Sequence, residues 1–317
     1  MIIYREFSSL SRDLGFSGRT LYGVSHAVTK HYRPVRIPKR GGGTRELHIP
    51  DPLLKAIQTR IAETLLPLEE ISPCASAYRP GGSTKRNALP HVGRQTVLKL
   101  DISGFFDHIT YPLVKKKAFP ASRYSESNRV LLAMLCVYKD SLPQGAPTSP
   151  AISNIVMKDF DDAVWRYCAA REIAYTRYCD DMTFSGDFDP APLIAFVKAR
   201  LKKMGLFLNE KKTAVLRQGR RQQVTGVIVN ERPGVPAEYK RAIRQEVHYC
   251  EKYGAADHLS FRGDPTPPAD YLMSLMGRVN YVLSIEPQNE EMRGYKTLVA
   301  AWLKEAAQPK KTPEEQP

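Results

Sequence analysis

Ile173-Ala174-Tyr175-Thr176-Arg177-Tyr178-Cys179-Asp180-Asp181-Met182-Thr183-Phe184-Ser185-Gly186 is the stretch on which the fold turns. β-Branched and aromatic residues crowd its two runs, Ile173 to Tyr178 and Met182 to Phe184, and predict the arms of a hairpin with adjacent carboxylates at the tip. Neighbouring carboxylates repel, and holding them between apolar arms is costly unless a cation or base offsets the repulsion. Asp also favours turns for its own sake, so a solvated Asp-Asp turn is the competing reading. A second acidic stretch weighs against it. In Val97-Leu98-Lys99-Leu100-Asp101-Ile102-Ser103-Gly104-Phe105-Phe106-Asp107 an apolar strand pattern runs directly into Asp101. One carboxylate at a strand end and two on a hairpin suit a two-metal site for phosphoryl transfer, one ion activating the attacking hydroxyl and the other steadying the leaving oxygen. All-oxygen ligation favours magnesium, or manganese, over zinc.

Tyr178-Cys179-Asp180-Asp181, Asp101 followed five residues later by Phe106, and Leu142-Pro143-Gln144-Gly145-Ala146-Pro147-Thr148-Ser149-Pro150 between them together resemble the reverse transcriptases. The motifs fall in that family's order, and the resemblance covers nearly the whole chain. It implies an α+β (mixed) right-hand polymerase. Fingers would occupy residues 1–95; a palm of antiparallel sheet plus helices, 96–223, would carry a helical fingers insertion at about 120–145; a helical, RNA-binding thumb would occupy 224–306. The resemblance also implies that Asp101, Asp180 and Asp181 are catalytic and hold two Mg2+ ions, or Mn2+, with the backbone carbonyl of Ile102. Lys39 and Arg45 would meet the triphosphate of the incoming nucleotide, and Phe106 and Gln144 its sugar. Near the departing pyrophosphate it implies a lysine that is either Lys211 or Lys212.

Asn87-Ala88-x-x-His91 and Val224-Thr225-Gly226 resemble the retron branch of that family, whose members copy part of a small structured RNA and leave the DNA joined to it. The implied partners are a structured noncoding RNA as template and primer, its DNA product, deoxynucleoside triphosphates, and a toxin or effector protein encoded nearby in anti-phage defence. The expected RNA contacts are Lys85, Arg86, Asn87, His91, Val224, Thr225, Gly226, Lys240 and Arg244. The stretch beyond Gly226 leaves no room for the maturase and endonuclease regions of group II intron enzymes. Two alternatives stand beside this reading: another compact bacterial reverse transcriptase, group II intron-like or of the abortive-infection type that makes untemplated DNA, and a catalytically idle RNA-binding scaffold.

Composition agrees. The 317 residues hold 47 Lys plus Arg against 33 Asp plus Glu, a net charge of +14 that favours a polyanionic partner, with nucleic acid the usual one. The basic residues are spread along the chain, and the longest apolar run, Val130 to Tyr138, is too short to span a bilayer, so no membrane partner is expected. Five cysteines without a Cys-x-x-Cys spacing, and no signal peptide after Met1, predict the reducing cytoplasm.

Among the elements, two strands flank Gly41-Gly42-Gly43, and Asp51-Pro52 opens a helix carrying Leu54, Ile57, Ile61 and Leu65. A polar, basic loop is expected over 77–91, and helices over 125–138, from a Ser149 cap with Pro150, and from Asp189-Pro190 to Gly205. A strand is expected over 224–230. From Pro236 a helix presents Tyr239, Ile243, Val247 and Cys250 on one side and Lys240, Arg244 and His248 on another, a basic stripe suited to a duplex. Helices over 272–285 and 295–306 and a disordered tail, 307–317, complete the expectation, while residues 1–32 show no strong period.

Overall fold

In the computed structural model, which describes residues 2–38 and 42–306, the strand that runs into Asp101 is the middle of a five-stranded antiparallel sheet. Lys39 and the tail from residue 307 lie outside the described residues. The chain begins with α1 (Phe7–Leu14), α2 (Gly18–His26), a hairpin of β1 (Tyr32–Pro38) and β2 (Thr44–Pro50), α3 (Pro52–Thr64) and the short α4 (Thr84–Ala88). Next come β3 (Thr96–Ser103), α5 (Tyr111–Lys117), α6 (Glu126–Cys136) and α7 (Ser149–Ala169). β4 (Ala174–Tyr178), β5 (Asp181–Gly186), α8 (Pro190–Lys202), β6 (Phe207–Leu208) and β7 (Ala214–Arg217) finish a first compact unit ending at Gln218. The second unit starts at Gly219 and holds β8 (Gln223–Val224), β9 (Val227–Ile228), α9 (Ala237–Tyr253), α10 (Ala255–Phe261), α11 (Pro268–Ile285) and α12 (Glu290–Ala306). Mixed helices and antiparallel sheet are the fold class that the motifs implied.

β4, β5 and β3 lie side by side, and the far edge of β3 is shared by β7 along Thr96–Lys99 and by β6 at Ile102–Ser103. Val97, Leu98, Leu100, Asp101 and Ile102 are all buried, so β3 is covered on both faces and the alternation of a half-exposed strand is lost. The helix α7 packs against β4. Pro150 sits in its first turn, where a missing N–H costs nothing, and Ile152, Val156, Phe160 and Val164 turn into the core. Asn154 and Asp161, two turns apart on the same helix, are buried as well.

Three expectations are corrected. Residues 1–32, on which the sequence reading made no assignment, hold α1 and α2, buried through Leu10, Leu14, Leu21 and Val24, and Ser17 caps α2 by accepting from the Thr20 N–H at 3.1 Å. Ser149 is the first residue of α7, not its cap. Its hydroxyl donates to the Pro143 carbonyl at 2.8 Å and ties the Pro-Gln-Gly turn to the helix. The polar stretch 77–91 is not all loop, because Ser83 caps α4. The single strand expected over 224–230 is a tight hairpin instead: Thr225 and Gly226 take φ +45° and +87°, so β8 turns back onto β9. No helix among the described residues is long and apolar enough to cross a membrane.

Candidate active site

Tyr178 pairs with Asp181, which leaves Cys179 and Asp180 as a two-residue loop at the tip of the β4–β5 hairpin. Cys179 takes φ +62°, a left-handed conformation that costs a side-chain-bearing residue about 1–3 kcal/mol. The Asp180 carbonyl accepts from the Ile102 N–H at 3.1 Å, docking the tip onto β3. In the β3–β5 register Asp101 lies opposite Asp181. Strand pairing therefore brings together three carboxylates contributed by two segments far apart in the chain. Asp101 is only 5% exposed.

Like charges directly across two strands destabilise a sheet. Burial pushes the Asp181 carboxyl up to about 6, with Asp180 and Asp101 adding to the rise and Lys99 and Lys212 opposing it. Lys212 Nζ donates to Asp101 Oδ2 at 2.8 Å, and this bond raises the ammonium's own pKa. Three crowded, oxygen-only donors have the chemistry that suits a hard divalent cation. Among the described residues no three His, Cys, Asp or Glu side chains are already gathered within ligating reach.

The carboxylates form the acidic end of a cleft of about 830 Å³ whose walls include Ile102, Arg45, Phe106, Gln144 and Lys212. Of the two candidate lysines, Lys212 lines this cleft and Lys211 does not. Gly145 takes φ +121°, and a Cβ there would stand 3.0 Å from the His48 carbonyl oxygen; the Gln144 carbonyl meanwhile accepts from the His48 N–H at 2.8 Å. The Pro-Gln-Gly turn therefore lies flush against β2 as only glycine allows. Among the cleft residues to which the sequence reading gave no role are His48, Tyr78, Tyr138 and Lys139. The His48 and Tyr138 rings pack at 4.4 Å, Lys139 occupies a left-handed turn position (φ +47°), and Tyr78, at φ +55°, directs its hydroxyl to Cys179 Sγ at 3.5 Å. No local pattern marks them; the packing of distant segments brings them in.

The expected RNA contacts divide into buried and exposed side chains. Asn87 and His91 are fully buried, and His91 bridges the two strands of the β4–β5 hairpin, Nδ1 at 2.7 Å from Ser185 Oγ and Nε2 at 2.8 Å from Thr176 Oγ1. Lys85 is partly exposed and Arg86 exposed. In the second unit the Val224 side chain is buried, leaving Thr225 and Gly226 as the turn it presents. The Lys240 and Arg244 stripe is not a bare cationic face: Lys240 Nζ lies 3.0 Å from both Glu286 oxygens, and Arg244 forks onto Glu291 at 2.5 and 2.7 Å.

The comparisons with known proteins agree with the motifs. The family described as reverse transcriptase (RNA-dependent DNA polymerase) matches residues 37–247. Retron Mx65 reverse transcriptase of Myxococcus xanthus is 36% identical over 270 residues, covering 78% of this chain and 63% of that enzyme. Retron Ec83 reverse transcriptase of Escherichia coli is 34% identical over 273 residues, covering 81% and 84%, and retron Ec86 reverse transcriptase of the same organism is 29% identical over 271 residues, covering 81% and 82%. Among solved structures, an apo telomerase from Candida tropicalis aligns at TM-score 0.47 with 15% identity, over 66% of this chain and 55% of that one. A foamy viral protease-reverse transcriptase with double-stranded DNA aligns at 0.46 with 15% identity, over 87% and 43%. With its family match over two thirds of its length and retron enzymes as its curated relatives, the chain belongs to the reverse transcriptases, the family of RNA-dependent DNA polymerases.

Proposed function

We propose that this chain is a retron-type RNA-directed DNA polymerase that copies part of a structured noncoding RNA into DNA joined to that RNA. The observation that carries the reading is the register of Asp101 opposite Asp181, with Asp180 in the adjoining turn, at the acidic end of a cleft lined by Arg45 and Lys212. Asp101, Asp180 and Asp181, with the Ile102 backbone carbonyl, would hold two Mg2+ ions. Ions bound there lower the pKa of the attacking primer hydroxyl and steady the leaving oxygen. The remaining work falls to side chains. Arg45 can fork onto triphosphate oxygens, and Lys39 joins it in the proposal. Phe106, packed 5.4 Å from the Phe105 ring, stands against the sugar and disfavours a 2′-hydroxyl by bulk. Gln144 contacts the same sugar from a turn braced on His48. Lys212 steadies Asp101 and neutralises the departing pyrophosphate.

By kinship with retron enzymes, the first primer is a 2′-hydroxyl within the RNA, and a nearby toxin or effector protein completes a defence function. Fingers, palm and thumb are assigned as the motifs imply. The test is Asp180→Asn, alone and with Asp181→Asn. Losing several kcal/mol at the transition state should lower DNA synthesis at least about a thousandfold, while RNA binding, which rests on cations elsewhere, stays near wild type. Persistent primer extension by the double variant would sink the assignment. RNA recovered with the purified protein should carry covalently joined, complementary DNA.

A further inference from the structure

Beneath the tip of the catalytic hairpin lies a polar cluster that the reaction, as described, does not use. Arg177 is completely buried, yet every arm of its guanidinium is occupied. Nε donates to Asp161 Oδ1 at 2.9 Å, Nη2 donates to Asp161 Oδ2 at 2.7 Å and to Asn154 Oδ1 at 3.3 Å, and Nη1 donates to the Cys179 carbonyl at 2.9 Å. Asp161 also accepts from the Tyr175 hydroxyl at 2.7 Å, and Asn154 donates to the Ala77 carbonyl at 2.8 Å. The backbone of Arg177 is pinned too, its N–H donating to the Cys74 carbonyl at 2.9 Å and its carbonyl accepting from the Ser76 N–H at 2.8 Å.

Stability alone does not call for such a pair, since a buried ion pair is often replaced by apolar residues of similar volume at no loss. An apolar pair could not, however, hold the carbonyl of a residue kept in a left-handed conformation. Cys179 is that residue, and Asp180 follows it directly. We infer that Arg177, oriented by Asp161 and Asn154, is a positioning residue that clamps the strained Cys179 peptide and so sets where Asp180 and Asp181 stand. The inference rests on the polymerase reading above and deepens it, tying the metal-binding tip to α7 through one guanidinium. Tyr78 meets the same cysteine from the cleft side, and Ile102 holds the next carbonyl, so the clamp is the buried third of a three-point support.

Arg177→Lys tests it. An ammonium keeps the charge opposite Asp161 but lacks the planar fork that reaches Asp161, Asn154 and the Cys179 carbonyl together. Primer extension should lose kcat about 10- to 100-fold, the effect of a displacement near 1 Å, with RNA affinity unchanged. Mn2+ affinity, read by electron paramagnetic resonance without substrate, should weaken several-fold. Adding Cys179→Gly should restore much of both, because glycine takes a positive φ without strain; a merely structural role for Arg177 gives no such rescue. Wild-type kcat and Mn2+ affinity in Arg177→Lys, or losses that Cys179→Gly leaves untouched, overturn the inference. If Arg177→Lys does not fold, Arg177→Met with Asp161→Asn, which keeps an acceptor for Tyr175, is read by the same criteria. A wild-type protein without polymerase activity would defeat the functional reading, and the Mn2+ comparison would still decide the clamp.

Discussion

His91 carries two hydrogen bonds and no exposed surface, and its environment turns a family marker into a measurable property. Burial lowers its pKa to about 3, with Arg94 adding to the effect. An unfolded histidine titrates near 6.5, so between these values the unfolded chain binds a proton that the folded chain refuses. The consequence is negligible well above pH 6.5 and grows against the folded state as pH falls toward 3. Between pH 7 and pH 5 wild type should lose about 2 kcal/mol from this residue alone. His91→Gln removes the titration, so denaturant melts at the two pH values should show the variant losing about that much less. Equal losses would mean that His91 is protonated in the folded chain.

At the scale of elements, α9 shows a helical pattern read correctly whose basic side also makes ion pairs within its own unit. Ile243, Val247 and Cys250 do turn inward, and Lys240 and Arg244 do share another side. That side is a seam: it staples α9 to Glu286, just past α11, and to Glu291 in α12. Lys240 and Glu286 are 22% and 18% exposed, Arg244 and Glu291 48% and 36%, so the first pair carries more of the energy than the second, which water screens. Lys240→Glu with Arg244→Glu would set carboxylate against carboxylate at both points. The double variant should melt earlier, by about 1–3 kcal/mol in stability, and Glu286→Lys added to it should recover part of that. A variant that melts like wild type would show that the pairs contribute nothing and would return the stripe to nucleic acid.

Across the whole molecule the charge is uneven. From Gly219 to Ala306 acidic and basic residues nearly cancel, so the excess of +14 resides almost entirely before Gly219. Affinity for a polyanion that depends on released counterions should therefore depend on cations of the first unit. Lys85→Ala with Arg86→Ala should weaken RNA binding and flatten log K against log salt by roughly 0.7 to 0.9 for each phosphate that is no longer neutralised. An unchanged slope would remove the α4 pair from the interface.

From the sequence alone came the hairpin at Asp180 and Asp181, the strand that ends near Asp101, the helices opened by Asp51 and Asp189, and the family to which their order belongs. All of these rest on local rules: β-branched runs, a side-chain oxygen accepting from an N–H two or three residues on, a proline in the first turn. Only the tertiary structure decided that Asp101 faces Asp181, that Lys212 and not Lys211 reaches Asp101, that Asn87, His91 and Val224 are buried, and that Arg177 holds Cys179 from beneath. The reason is range. The His91 bond to Ser185 spans 94 positions and the Lys212 bond to Asp101 spans 111, and whether a polar side chain faces water, a ligand or another side chain depends on which distant backbone folds over it.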